Sequence, residues 1–146
     1  MQIERSEDGR IRDGAWWSFI DLRWPMAARA FVLEPDPLER SWIQSALGSV
    51  VKEIVFLGSP AALLGMQAFA EDCLVACTEP DAGAVLELVR ELRRRGSRLP
   101  SIVYGPHTAF RTAVEIARME ATDFLERPFS ARQLRIAVAR ACAPRA

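Results

Sequence analysis

Five short, apolar-rich runs recur from residue 29 onward, each cut off by a loop bearing proline, glycine or an acid and each followed by a segment with helical spacing. RAFVLE (29–34) stops at Pro35 and Pro37, and Asp36 ahead of Pro37 has the form of a helix N-cap with proline in the first turn. Leu38, Trp42, Ile43 and Leu47, three and four apart and ending at Gly48, predict the helix itself. VKEIVFLG (51–58) gives way to Ser59 and Pro60, the same cap signature, opening a helix expected within SPAALLGMQAFAED (59–72). CLVAC (73–77) ends at TEPDAG, and the segment from Asp81 to Arg95 then carries Val85, Leu88, Val89 and Leu92 on one stripe, with Glu91 placed to pair with Arg95. SIVY (101–104) precedes a helix expected to bury Phe110, Ala113, Val114 and Ala117. ATDFLE (121–126) is the fifth strand, and Ser130 caps a last helix with Leu134, Ala137, Val138 and Ala141 inward.

Strands this apolar are too hydrophobic to be half exposed. Alternating with helices, they predict an α/β domain whose parallel sheet is covered on both faces and, with right-handed crossovers, doubly wound. The expected organisation is an N-terminal extension over residues 1–28 and one domain over 29–143. Chemistry in such a sheet sits at the carboxyl ends of the strands. Those ends are Glu34 to Asp36, Gly58 and Ser59, Ala76 to Thr78, Tyr104 to His107, and Glu126 to Pro128.

Nineteen basic residues balance nineteen acidic ones, so no global field draws the chain to nucleic acid or an anionic membrane. Half the residues are hydrophobic, enough for a packed core without metal or disulfides. The polar start, MQIERSEDGRIRDG, lacks the apolar core of a signal peptide, and no apolar stretch approaches the length of a membrane span; the expected location is the cytoplasm. Three cysteines fit reduced thiols there. Cys73 and Cys77 share a strand face but lie roughly 13 Å apart along it, too far for one metal ion or one disulfide, and both read as small buried hydrophobes.

From Arg29 to about Ala141 the chain resembles the receiver domain of response regulators, the phosphoacceptor module of bacterial two-component signalling. The residues that carry the resemblance are FVLEPDP at the first strand, TEPDAG after the third, LRRRGSRLPSIVYG into the fourth and, above all, ATDFLERPFS, which is similar to the family's strand-five signature. The resemblance implies a CheY-like, flavodoxin-type sheet of order 2-1-3-4-5. It also implies a cis peptide bond between Arg127 and Pro128, and a partner-binding face made of helix four, strand five and helix five, with Phe124 as the aromatic that reports the state of the site.

Residue by residue, the family's chemistry is mostly missing. Two adjacent acids at the end of strand one hold Mg²⁺ in receivers; Glu34 and Pro35 stand there, with Asp36 one place late. The phosphoacceptor aspartate aligns with Ala76 when counted back from Pro80, or with Cys77 if the loop is one residue shorter. The serine or threonine ending strand four is matched by Gly105, and the strand-five lysine by Arg127. Phosphoryl transfer needs an in-line nucleophile, a neutralising metal and a cation on the transferred group. One glutamate beside a proline is a poor start for Mg²⁺, and a thiol in an apolar strand is held back from ionising. Arginine keeps the charge but is planar and bulkier than lysine. The expectation is a site dead for aspartyl phosphorylation, with no metal, no cofactor and no enzymatic activity: either the fold has no switch and sits in one conformation that a partner reads, or Arg127 lies across the pocket and bonds Glu34 or Asp36 as a permanent ion pair.

AWWSFIDLRW (15–24) holds three of the four tryptophans. Trp16, Trp17, Phe19 and Trp24 are either docking residues for a partner or second subunit, since aromatics dominate interface anchors, or an added element packed on the domain itself. The basic stretch RELRRRGSR (90–98) reads as a solvated helix end favoured by the helix dipole, and lone His107 as a surface loop residue. Together these features predict a phosphorylation-independent, receiver-like regulatory or adaptor protein acting through protein contacts. The partners are a histidine kinase, another regulator or a second copy of the chain, and not nucleic acid or membrane. The alternative is a small-molecule or nucleotide-binding module using the same strand-end cleft.

Overall fold

The computed structural model describes residues 27–142. Five parallel strands, β1 (Ala27–Leu33), β2 (Val51–Phe56), β3 (Cys73–Cys77), β4 (Ser101–Gly105) and β5 (Thr122–Glu126), form one sheet in the order β2-β1-β3-β4-β5. The doubly wound architecture and the strand order are therefore those expected. The register sets Leu33 beside Ala76, Cys77 beside Tyr104 and Gly105 beside Glu126, so the strands end nearly level and their last residues converge.

Both faces are covered, as the apolar strands require. Helices α1 (Pro37–Leu47) and α5 (Ala131–Cys142) bury Ile43, Leu47, Leu134 and Val138 with Val32, Val75 and Tyr104. Helices α2 (Pro60–Leu64), α3 (Ala82–Arg94) and α4 (Phe110–Ala117) bury Leu63, Leu88, Val89 and Ile116 with Phe31, Leu74 and Val103. Each such leucine or valine removed from water contributes roughly 1.5–3 kcal/mol. The caps Asp36 and Ser59 are those the sequence advertises, and Asp81, expected as the first residue of its helix, is a third. They accept backbone N–H bonds from Leu38, Ala62 and Ala84. At α5 a reciprocal box forms: Gln133 N–H donates to Ser130 Oγ at 3.1 Å while Ser130 N–H donates to Gln133 Oε1 at 2.7 Å. Gly96, at φ 87°, ends α3 in the left-handed conformation that favours glycine, letting Ser97 N–H reach Leu92 C=O.

Several local expectations are corrected. The helix after β2 stops at Leu64, where Gly65 caps it. The chain then turns so that the buried Asp72 carboxylate accepts Phe69 N–H at 2.8 Å and pairs with Arg29 at 2.8 Å, an arrangement a continuous helix to Asp72 would forbid. β2 ends at Phe56, two residues early, and β1 begins at Ala27, two residues before the expected strand. One turn of 3₁₀-helix (His107–Ala109) precedes α4 and rotates its buried face onto Thr112 and Ile116, leaving Phe110 69% exposed and Ala117 at the surface. Arg93 is not a solvated helix end: it is half-buried and donates to the carbonyls of Ser97, Leu99, Glu120 and Ala121, tying the end of α3 to the entry of β5. Its neighbours are also paired, Arg90 with Glu87 and Glu115, and Arg94 and Arg95 with Glu91. The Glu91–Arg95 pair is the one the spacing predicts.

Candidate functional site

Glu34 follows the last residue of β1 and is almost fully buried. A carboxylate out of water has to be matched by donors. It is: Tyr104 Oη donates to Oε1, Arg127 Nη2 lies 3.4 Å from the same oxygen, and Asp36 N–H donates to Oε2 at 3.0 Å. Arg127, just beyond β5, extends over the strand ends. Its Nη1 lies 3.3 Å from Glu39 of α1, its Nη2 donates to Cys77 Sγ at 3.7 Å, and its guanidinium carbon stands 5.0 Å from the centre of the Tyr104 ring. One guanidinium thus joins β1, α1, β3 and β4. The Arg127–Pro128 peptide is cis, as is Glu79–Pro80.

Of the two residues expected at the phosphoacceptor position, Cys77 reaches the cleft and Ala76 lies wholly in the core beside Leu33 and Val103. Burial pushes the Cys77 thiol up, with the Glu34 carboxylate adding to the effect; the Glu79 N–H, 3.4 Å from the sulfur, and the Arg127 guanidinium offset it only in part. Cys77 is therefore a neutral thiol at neutral pH, a weak nucleophile. Burial, then the hydrogen bond to Glu34, hold the Tyr104 phenol far above its ordinary range, so it serves as a permanent donor.

The residues present do not fit a Mg²⁺ ion. Both oxygens of Glu34 are engaged, Pro35 offers no side-chain oxygen, and Asp36 is occupied at the N-terminus of α1, where its Oδ1 accepts Leu38 N–H at 3.2 Å. Arg127 pairs with Glu34 and not with Asp36, so the acid nearer the buried end of the pocket takes the cation.

Gly105 has a steric role that its sequence position does not advertise. Thr78 follows β3 and lies beside Gly105; a Cβ added at Gly105 would stand 2.1 Å from Thr78 Oγ1. The threonine hydroxyl thus fills the place a side chain at 105 would take, and it is buried without a hydrogen-bond partner among the described residues. Thr78 and Tyr104 lie at the expected strand ends but have no motif role, and Glu39 lies outside those ends. The signal for Tyr104 lies in the strand register, which pairs it with Cys77, and no single run of residues contains it. Phe124 lies in β5, half-buried against the α3–α4 side of the core. Trp16, Trp17, Phe19 and Trp24 fall outside the described residues.

Beside Glu34 and Cys77 the loops after β1, β2 and β3 enclose a cleft of about 560 Å³, walled by Leu33, Leu57, Pro60 and Val85, with Arg40 and Glu79 among its polar residues. On the other side, Trp42, Phe129 and Tyr104 form an edge-to-face aromatic chain, with ring centres 5.7 and 5.4 Å apart, running from the surface of α1 to the Glu34 pocket.

No protein-family model matches the chain, and no curated protein matches it. Solved structures do. The N-terminal receiver domain of a response regulator from Bacteroides fragilis superposes with a TM-score of 0.69 at 15% identity, covering 82% of this chain and 99% of its own. A response regulator receiver protein from Pseudoalteromonas atlantica gives 0.65 at 22% identity, covering 77% and 95%. FixJ-N gives 0.66 at 26% identity, covering 79% and 93%. What this chain has in common with receiver domains of two-component response regulators is the whole fold from β1 to α5.

Proposed function

We propose that this protein is a receiver-like regulatory module of two-component signalling that works without aspartyl phosphorylation, through contacts with other proteins such as a histidine kinase or a second regulator in the cytoplasm. The observation that supports the reading is the Arg127 guanidinium, paired with Glu34 and Glu39 beside the Cys77 thiol, an internal cation already matched at the strand ends where the resemblance would put a phosphoryl group. A neutral thiol and an engaged glutamate leave neither acceptor nor metal site, so the surface around β5 and α5 is presented in one form for a partner to read.

The test is incubation with acetyl phosphate, or with beryllofluoride, each with Mg²⁺. Intact mass is expected to show no phosphoryl adduct, and the fluorescence of Trp42, coupled to the pocket through Phe129 and Tyr104, no change. A stable, Mg²⁺-dependent adduct would overturn the proposal. The 560 Å³ cleft supports a second reading, a small-molecule or nucleotide binder, since that volume lies within the range of ligand pockets. A thermal-shift screen with nucleotides and flavins separates the two: a saturable rise in Tm favours the binder.

A further inference from the structure

The outer face of α5 holds an alanine buried where the helix should meet water. Leu134, Ala137, Val138 and Ala141 turn toward the sheet. At 3.6 residues per turn, Ala139 lies at least about 100° around the helix from each of them, and so does Ile136. Arg132 and Arg140 beside them are exposed, as that placement requires, yet Ala139 is only 1% exposed and Ile136 is half-buried. Ala139 also belongs to neither apolar cluster of the described residues. α1 flanks one edge of this face, where Arg135 donates to Ala46 C=O at 3.3 Å, but Ser45 and Gly48 at its end are themselves exposed and form no lid. A methyl group so placed points to cover from outside residues 27–142, and the cover comes from within a single chain. That leaves residues 1–26 and the four residues after Cys142.

We propose that the aromatic segment 15–24 folds back over the last turns of α5 and lays its rings on Ile136 and Ala139. Chain connectivity brings it there. β1 begins at Ala27, which shares an apolar cluster with Ala141 and Cys142, so the segment joins the fold at the carboxyl end of α5. Trp24, three residues upstream, reaches about 10 Å from Ala27 and Trp16 up to about 36 Å, whereas Ile136 to Cys142 spans about 9 Å of helix. The chemistry fits as well. Ala139 gives a flat floor for an aromatic ring, Ile136 a wall, and the exposed Arg140 guanidinium a cation for an indole face, as Arg29 is for Phe31 at 4.9 Å. The other candidate, Ala-Pro-Arg-Ala at 143–146, has a single long side chain, that of Arg145, and little apolar surface to lay on the helix. Such docking is independent of the chemistry at the strand ends. It makes the tryptophans, in place of bare helix, part of the surface that α5 presents.

The test is alkylation of the folded full chain with N-ethylmaleimide, with adducts located by peptide fragmentation. Ala139→Cys puts a thiol at the covered position and Arg140→Cys one beside it. The thiol at 139 is expected to react at least about tenfold more slowly than that at 140. Alanine at Trp16, Trp17, Phe19 and Trp24 together is expected to bring the two rates within about twofold, and Arg145→Ala to leave them apart. Cys73 and Cys77, buried in the core, stay unlabelled in a folded chain and so report whether each variant is intact. A second variant keeps the aromatics: Ala139→Glu forces a charge under the segment without entering the core, and is expected to raise the rate of tryptic cleavage after Arg23 about tenfold. If the aromatic variant loses its fold, that cleavage rate decides. Equal labelling at 139 and 140, protection that survives removal of the four aromatics in a folded chain, protection lost with Arg145→Ala, or an unchanged cleavage rate would each overturn the proposal.

Discussion

At the scale of single residues, the candidate site depends on one buried carboxylate and the donors that match it. Tyr104→Phe leaves a Glu34 oxygen short of a donor, which costs about 1–3 kcal/mol for a buried acceptor. Arg127→Ala removes the cation that, among the described residues, pairs with Glu34; with Arg127 itself 30% exposed, the cost lies between that of a surface pair and a buried one, about 2 kcal/mol. Since the two side chains share Glu34 Oε1, their effects are expected to be non-additive by more than about 0.5 kcal/mol in a double-mutant cycle followed by urea unfolding. Additive losses would show that Glu34 does not couple them. Arg127→Lys keeps a charge but cannot reach Glu34 and Glu39 together in the fork geometry, so it is expected to recover only part of the loss.

At the scale of elements, caps and stripes were legible because they are local. Asp36, Ser59 and Ser130 each announce a helix within three residues, and each accepts the backbone N–H it should. The Ser130–Gln133 box makes α5 the best-defined start, and Ser130→Ala is expected to lower stability by about 1 kcal/mol, read as a lower urea midpoint at unchanged slope. What failed was local pattern overruled from a distance. Asp72 is drawn to Arg29, forty-three positions away, and breaks the helix that Met66 and Phe69 seemed to extend; both those side chains end up exposed. The α4 stripe was misread by one position because a 3₁₀ turn has a tighter pitch than the α-helix it precedes. In the site, Glu34, Cys77, Gly105 and Arg127 could be given roles from strand ends alone. Tyr104 and Thr78 fall within the same strand ends, but their roles arise from β3–β4 register and could not be assigned.

At the scale of the whole molecule, the carboxyl end of the sheet keeps protons that the unfolded chain would release. Burial holds the Tyr104 phenol and the Cys77 thiol above their ordinary values. The folded state therefore binds more protons than the unfolded one at alkaline pH. The resulting stabilisation is complete below the free thiol value of about 8.5 and is lost as pH rises past it and past about 10, where free tyrosine ionises. Stability by chemical denaturation is expected to fall steadily from about pH 9 to 11. Tyr104→Phe should flatten the upper part of that slope, and an unchanged slope in the variant would remove Tyr104 from the account.

The Thr78 hydroxyl seated against Gly105 makes positions 78 and 105 interdependent. A side chain introduced at 105 has to displace that of Thr78, so bulk at one strand end is traded against bulk at its neighbour. An acid introduced at 77 would enter beside a guanidinium that Glu34 and Glu39 already hold. Changes in this pocket therefore constrain one another, like pieces that can be exchanged only in certain combinations.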